Sequence, residues 1–373
     1  MKRSNGEGSV YYNEKRKRYE GQLTYLDPLS HEVKRAFFTS VISAKDIKAK
    51  FKKLKAELAQ GVTKINSKMT LKEWLDYWLE DYKKPEIRIK TYDRYQVAIK
   101  NHILPYLGKF NLKDLSTEQL QHHFVKLQQS GGAKGQGLAA RTINTARRIL
   151  IQSLNDAVYF GYLPFNPAPR TKPMRVSRAQ INILTRDEAL RLINAAKDYN
   201  APTWMVVVLA LGTGMREGEI FGLDWKHIDL EKRKLWVVQS AIKTNTGTLL
   251  QRDLKTKSSA REIPLPNFVV EALAEYKRLQ QEYQALYSHS YSDQGFLVAN
   301  RYGNIMHPAT FSYHVFKDIL LARAGIDRKF RFHDLRHTHA TWLLEAGVNV
   351  KVVSERLGHA NIRITLDTYA HVL

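Results

Sequence analysis

Four prolines fall within ten residues, Pro164, Pro167, Pro169 and Pro173, interleaved with Arg170, Lys172, Arg175 and Arg178. Proline lacks the amide hydrogen and fixes φ, so neither a helix interior nor a central strand runs through such a stretch. The chain must therefore fold as separate bodies on either side of an extended basic linker at about 164–182. Its 373 residues suffice for two or three domains of roughly 100–200 residues each. The boundaries we read are a domain at 1–68, a second at 69–165, the linker core at 166–182 and a C-terminal domain at 183–373.

Charge decides what these domains meet. Lys and Arg number 59 against 36 Asp and Glu, a net of +23, which points to a polyanion as partner. Residues 1–68 are the most lopsided part, with sixteen Lys or Arg against seven Asp or Glu. The absence of cysteine removes disulfides, thiolate metal sites and a cysteine nucleophile, so any metal would need His, Asp or Glu. No targeting peptide or apolar run near the ~20 residues of a membrane span is present. We therefore expect a cytoplasmic, nucleoid-associated bacterial protein with no membrane partner.

Local patterns give the elements. In 8–26 aromatic and polar residues alternate, and 32–42 is rich in β-formers, which predicts two or three short strands. Ser43 reads as an N-cap, and Ile47, Phe51, Leu54 and Leu58 recur at helical spacing opposite a row of lysines. Arg16, Lys17 and Arg18 are the candidate DNA contacts of this domain. Residues 69–165 read as helical throughout, with stripes at Leu71, Trp74, Leu75 and Trp78, at Leu120, Phe124 and Leu127, and from Ile143 to Tyr159. Ser116 and Gln119 form a capping box. Such stripes belong to a core, which leaves basic residues off them, Lys90, Arg141 and Arg147, to face DNA. Beyond the linker, Thr185 with Glu188 starts a helix, 206–211 is a buried helix, and 235–242 and 261–265 are strands. The fold class is mainly α with small β-sheets: a small sheet-plus-helix N-terminal domain, a helical middle domain and a mixed α/β C-terminal domain.

Five places in the last domain carry reactive side chains: Arg216 in GTGMREGEI, Lys255 or Lys257 in LKTKSSAREIPL, His333 and Arg336 in HDLRHTHATWL, His359 in RLGHANI and Tyr369 in LDTYAHV. Each alone is ordinary. In this order, the boxes G-x-R-x-x-E (Gly214, Arg216, Glu219), H-x-x-R (His333, Arg336), L-G-H (Leu357–His359) and a Tyr ten residues further on resemble the tyrosine recombinases of the phage integrase family. The likeness covers about 69–373, where the helical part resembles the family's core-binding domain and the remainder its catalytic domain. The basic N-terminal part is similar to the arm-binding domain of integrases from phages and conjugative transposons.

The chemistry of the residues agrees with those roles. Attack at a phosphodiester builds charge on the non-bridging oxygens, and two guanidiniums, Arg216 and Arg336, can clamp it through charge-assisted bonds. Tyr369 offers a phenol nucleophile that keeps the strand as an ester, so no nucleotide cofactor is needed. A Lys on a hairpin can protonate the leaving oxygen. The family's Lys precedes Thr, which favours Lys255, with Lys257 two residues away. The resemblance makes His333 the aid to the tyrosine proton and His359 a donor to a non-bridging oxygen, while Glu219 orients Arg216. His333 and His337 have metal-ligand spacing but lack the Glu of H-E-x-x-H, so we expect no metal, and we read His337, His339 and Trp342 as packing or supporting positions.

The resemblance implies a site-specific recombinase that makes a 3′-phosphotyrosyl intermediate and a Holliday junction. It would act as a homo-tetramer on double-stranded DNA attachment sites, with a DNA-bending host factor and a directionality factor as candidate accessory partners. Many members continue past the nucleophile with a helix exchanged between protomers, whereas four residues follow Tyr369 here, so a shorter or missing exchanged element is expected. Two other classes fit the composition: a DNA-binding regulator that has kept the fold, and a metal-dependent nuclease.

Overall fold

The structure is a computed structural model that describes residues 8–26, 33–59, 68–176, 181–244, 247–252, 260–300 and 302–370. Two compact units divide the chain, residues 1–177 and 178–373.

In the first unit, strands β1 (Ser9–Asn13), β2 (Arg18–Leu26) and β3 (Val33–Ser40) form an antiparallel sheet in sequence order. Helix α1 (Ala44–Ala59) covers one face, with Ser43 Oγ accepting from the Asp46 amide at 3.2 Å. Ile47, Phe51 and Leu54 are buried with Leu23, and Val10, Tyr19, Tyr25, Ala36 and Phe38 pack around them. Gly21 permits this approach, because a Cβ there would sit 2.5 Å from Ile47 Cγ2. Tyr11 and Phe37 remain exposed.

The rest of this unit is helical. Helix α2 (Leu71–Tyr77) opens a helical run over 71–86, α3 (Ile89–Ala98) opens another over 89–107, and α4 (Thr117–Ser130) and α5 (Ala140–Tyr159) follow. Leu71, Trp74, Leu75 and Trp78 are fully buried, each such side chain contributing about 1.5–3 kcal/mol by leaving water. Their indole groups are satisfied as well: Trp74 Nε1 donates to the Ser153 carbonyl at 3.2 Å and Trp78 Nε1 to Asp156 Oδ2 at 2.7 Å. The Ser116–Gln119 capping box forms in both directions.

The proline-rich stretch departs from a free linker. Ala168 and Thr171 are buried, and α5 holds the stretch through polar side chains. Arg147 donates to Thr171 Oγ1 (2.8 Å), to the Thr171 carbonyl (2.6 Å) and to the Pro169 carbonyl (3.3 Å), while Asn144 exchanges two bonds with the Met174 backbone. Prolines supply no amide hydrogens, so this stretch lacks the donors for a ladder of its own, and side chains of α5 donate to its carbonyls instead. Arg147, expected to face DNA, directs its Nε and Nη2 at residues 169–171.

In the second unit, α6 (Arg186–Tyr199) starts at the Thr185–Glu188 capping box, and α7 (Ala201–Thr213) is buried along nearly its whole length. Short helix α8 (Glu217–Phe221) follows. Strands β4 (Ile228–Asp229) and β5 (Lys234–Val237) pair antiparallel, β6 (Ser240–Thr244) and β7 (Gly247–Gln251) make a separate hairpin, and β8 (Arg261–Pro264) joins the other edge of β5. The single strand expected at 235–242 is thus two. Gln239 breaks it by turning inward, where its Nε2 donates to the Gly222 carbonyl and to Asp224 Oδ2. Helix α9 (Asn267–Leu286), a helical run over 308–323, and α10 (Phe332–Glu345), α11 (Val350–Leu357) and α12 (Ile362–Tyr369) complete the unit. No helix among the described residues is long and apolar enough to cross a membrane.

Candidate active site

Three of the sequence boxes meet at two guanidiniums. Helix α7 ends at Gly214, whose φ of +66° is the left-handed conformation that favours glycine at a helix C-terminus. A Cβ there would also lie 2.6 Å from His339 Cδ2, so glycine is required twice over. The turn delivers Arg216 to the start of α8, where its backbone amide donates to Glu219 Oε2 (2.9 Å) and its Nη1 to Glu219 Oε1 (2.8 Å). Nη2 of Arg216 reaches the Gly358 carbonyl at 3.1 Å. Arg336, on α10 and 3% exposed, donates to the carbonyls of Gly214 (2.7 Å) and Leu357 (2.6 Å). Each fork thus uses donors on protein carbonyls beside the other boxes, which fixes the relative positions of the G-x-R, H-x-x-R and L-G-H segments.

Gly358 is a second left-handed helix end, with φ +67°, and it turns the chain from α11 into His359. His359 Nδ1 lies 2.8 Å from Thr365 Oγ1, a fully buried hydroxyl on α12, which leaves Nε2 as the ring atom for an outside partner. Tyr369 ends α12. Its ring is 1% exposed among Ala340, Leu344, Val353 and Leu357, and its hydroxyl lies 2.8 Å from His337 Nδ1. His333 packs edge-on against His337, the rings 5.1 Å apart. The hydroxyl's partner is therefore His337, which the sequence reads as a packing or supporting position, and not His333. The i, i+4 spacing of the two histidines was the available signal, but only the seating of α12 on α10 tells which one meets the phenol.

Burial sets the protonation of the site. It pushes the Tyr369 phenol up to about 12, with Arg336 pulling the other way. It holds His333 down to about 4, aided by His337 and Arg336, and His359 down to about 4, aided by Arg336 and Arg216. His337 is lowered by burial too. A neutral His337 with its proton on Nε2 accepts from the Tyr369 hydroxyl through Nδ1. Burial lowers Arg336 to about 9, with the neighbouring Arg216 charge adding to the fall. Burial pushes the Glu219 carboxyl up, but the bonds from Arg261 and the charges of Arg261 and Arg216 outweigh it and hold it below the usual range.

These shifts carry a stability prediction. Unfolded histidine binds a proton below about 6.5, whereas the buried rings of His333, His339 and His359 do not until about 3–4, so the unfolded chain holds more protons between these limits. Stability then rises with pH across that window. Calorimetry should show a lower melting midpoint at pH 5 than at pH 7.5, with about one proton taken up on unfolding per buried histidine. A midpoint independent of pH over this range would contradict neutral buried rings.

The remaining candidates support this cluster, lie apart from it or fall outside the described residues. His339 is 5% exposed and lies between the Leu211 carbonyl (2.7 Å) and Arg356 Nε (3.0 Å), and Trp342 is half-buried against the core. Lys255 and Lys257 lie outside the described residues. Arg16 and Lys17 lie in the β1–β2 turn, with Lys17 at φ +47°, and Arg18 opens β2 with its Nε 2.9 Å from Glu20 Oε1. Lys90 and Arg141 are exposed near the N-termini of α3 and α5. Among the described residues no group of three or more His, Asp or Glu side chains is placed to share a metal ion.

Paired guanidiniums, imidazoles beside them and a tyrosine hydroxyl bonded to the neighbouring helix are the groups that a DNA strand transferase using tyrosine requires. The chain is a member of the phage integrase family: the Phage integrase family model matches residues 182–373, and the model of the phage integrase N-terminal SAM-like domain matches 70–127. It is thus a tyrosine-type site-specific DNA recombinase. A tyrosine recombinase XerC-like protein of Caldanaerobacter subterraneus is 31% identical over 350 residues, spanning 88% of this chain and 86% of the relative. The transposase from transposon Tn916 of Enterococcus faecalis is 25% identical over 87% of this chain and 80% of its own. Among solved structures, the integrase of transposon Tn1549 in complex with a circular intermediate DNA aligns with a TM-score of 0.66 at 21% identity, covering 81% of this chain and 95% of that one. A lambda integrase dimer bound to a core site aligns at 0.61 and 20% identity over 99% and 96%.

Proposed function

We propose that the chain integrates and excises a phage or mobile genetic element, cutting and rejoining double-stranded DNA attachment sites through Tyr369. The observation that carries this reading is the interlock of Arg216 and Arg336 across three chain segments beside the Tyr369 hydroxyl. The Tn916 transposase and the DNA-bound Tn1549 integrase support the mobile-element part.

In the first step the Tyr369 oxygen attacks phosphorus and the P–O5′ bond breaks, leaving a 3′-phosphotyrosyl ester and a free 5′-hydroxyl. The phenol proton passes to His337 Nδ1, and the leaving oxygen takes a proton from Lys255 or Lys257. Arg216 and Arg336 hold the non-bridging oxygens and His359 donates to one of them. His333 supports the His337 ring. A 5′-hydroxyl from a partner duplex then attacks the ester, so one strand exchange gives a Holliday junction and a second resolves it within a homo-tetramer. Because Tyr369 is 1% exposed, contact with a phosphate requires α12 to withdraw the ring from Leu344 and Val353.

DNA is gripped in this reading by an arm-type domain at 1–68, through Arg16, Lys17 and Arg18, and by a core-binding domain at 69–165, through Lys90 and Arg141. The linker at 166–182 leads to the catalytic domain at 183–373. A DNA-bending host factor and a directionality factor would assist, in the cytoplasm at the nucleoid. Deleting residues 1–68, with their net +9, should weaken binding to distal arm sites and flatten the salt dependence, since each phosphate contact adds roughly 0.9 to the slope of log K against log salt. An unchanged slope in filter binding would contradict this role. The reading as a whole is tested by incubating the protein with genomic fragments that flank its own gene and denaturing the mixture. A protease-sensitive, slowly migrating DNA band is expected. Native-gel binding without that band, on fragments that contain the crossover site, would favour a regulator.

A further inference from the structure

Behind the two clamp arginines lies a third that the recombination chemistry has not used. Arg261 opens β8 and its side chain is 7% exposed. It donates to both oxygens of Glu219, Nη1 to Oε1 at 3.1 Å and Nη2 to Oε2 at 2.9 Å, and its Nε donates to the Arg356 carbonyl at 2.6 Å. Arg356 in turn donates to His339 Nε2, the Pro264 carbonyl and the Gly212 carbonyl, each at 3.0 Å. The pair therefore ties together the end of α7, strand β8, helix α10 and the last turn of α11, the four pieces that carry or flank Arg216, Arg336 and His359.

Charge gives this arrangement a purpose. Glu219 is 3% exposed and touches Arg216 through both its backbone and its guanidinium. Were Arg216 its only cationic partner, the two charges would cancel, and Arg216 would meet a phosphate as half of a neutral pair. With Arg261 on the same carboxylate, the trio carries a net positive charge, and Glu219 can orient Arg216 without quenching it. A buried ion pair is costly to unbalance, because the low dielectric strengthens every uncompensated interaction.

We propose that Arg261 is a positioning residue for DNA cleavage: it neutralises Glu219, and so leaves the Arg216 charge available to the scissile phosphate. This rests on the recombinase reading above. A lysine cannot replace it, since one ammonium does not reach both Glu219 oxygens and the Arg356 carbonyl together.

The test compares the wild type, R261Q, R261K and the double variant R261Q/E219Q in full-length protein, with the genomic fragment that the wild type traps covalently as probe. R261Q should cleave about 100-fold more slowly, with native-gel affinity little changed and R261K intermediate. The double variant should recover about tenfold over R261Q, because removing the carboxylate charge frees Arg216 again. A merely structural role predicts no such recovery. A double variant no faster than R261Q, or an R261Q as fast as the wild type, would overturn the proposal. Should R261Q fail to fold, R261M against R261M/E219Q, which keeps the length of the side chain without its charge, makes the same comparison with the same two outcomes. Failure of the wild type to trap any fragment would strike the recombinase reading instead, and is read in the same gel.

Discussion

Tyr369→Phe is expected to abolish the covalent protein–DNA complex while leaving native DNA binding close to that of the wild type. The ring is buried against Ala340, Leu344, Val353 and Leu357, and phenylalanine fills the same space. The only group lost is the hydroxyl, whose partner is His337 Nδ1 at 2.8 Å. Losing that bond leaves one imidazole nitrogen without its partner, a cost of about 1 kcal/mol that a small fall in melting midpoint would report. Cleavage, in contrast, loses the nucleophile we propose, and among the described residues no serine stands in the hydrogen-bonded cluster to replace it. The expected loss is on the order of 10⁴-fold or more, down to the limit of detection. Measuring DNA affinity and adduct yield on the same preparation separates the two effects, and residual adduct in the variant would assign the nucleophile elsewhere.

Arg336→Lys should lower cleavage on the order of 10³-fold and destabilise the second unit by about 1–3 kcal/mol. Both effects come from the fork. One Nη of Arg336 serves the Gly214 carbonyl and the other the Leu357 carbonyl, two acceptors that belong to different segments. A lysine ammonium reaches one or the other, which leaves a buried acceptor unpaired and loosens the hold between the G-x-R and L-G-H turns. The scissile phosphate then meets a point charge in place of a planar pair of donors. Affinity should move little, because most contacts of a basic protein with a duplex lie along its backbone away from the cleavage point. Equal losses in affinity and cleavage would assign Arg336 to binding alone.

How much of this could be read from the chain depends on how local each signal is. The capping boxes at Ser116 and Thr185 and the buried stripe of Leu71, Trp74, Leu75 and Trp78 form as their spacing implied, since each is decided within a turn or two of helix. The ordered boxes around Arg216, Arg336, His359 and Tyr369 were legible too, and hydrogen bonds and packing hold their segments together. What sequence could not supply was contact between distant segments. His333 and His337 share a helix face, and only the packing of α12 on α10 selects His337 for the phenol. Arg147 and Arg261 look like any other basic residues, one in a helix and one after a serine-rich stretch. The first turns out to hold the proline segment and the second a carboxylate 42 positions away. The strand at 235–242 was read as continuous because a single inward glutamine leaves the alternation around it intact.

Bond formation between Tyr369 and phosphorus is the step on which the proposed recombination stands. The most direct measurement is to react the wild-type protein with its trapped fragment in EDTA, digest both protein and DNA, and find the nucleotide-bearing peptide by mass spectrometry. A nucleotide mass on the Tyr369 peptide, formed in EDTA and absent from Tyr369→Phe, is the predicted result. Cleavage that disappears in EDTA, or an adduct mapped to another residue, would contradict it.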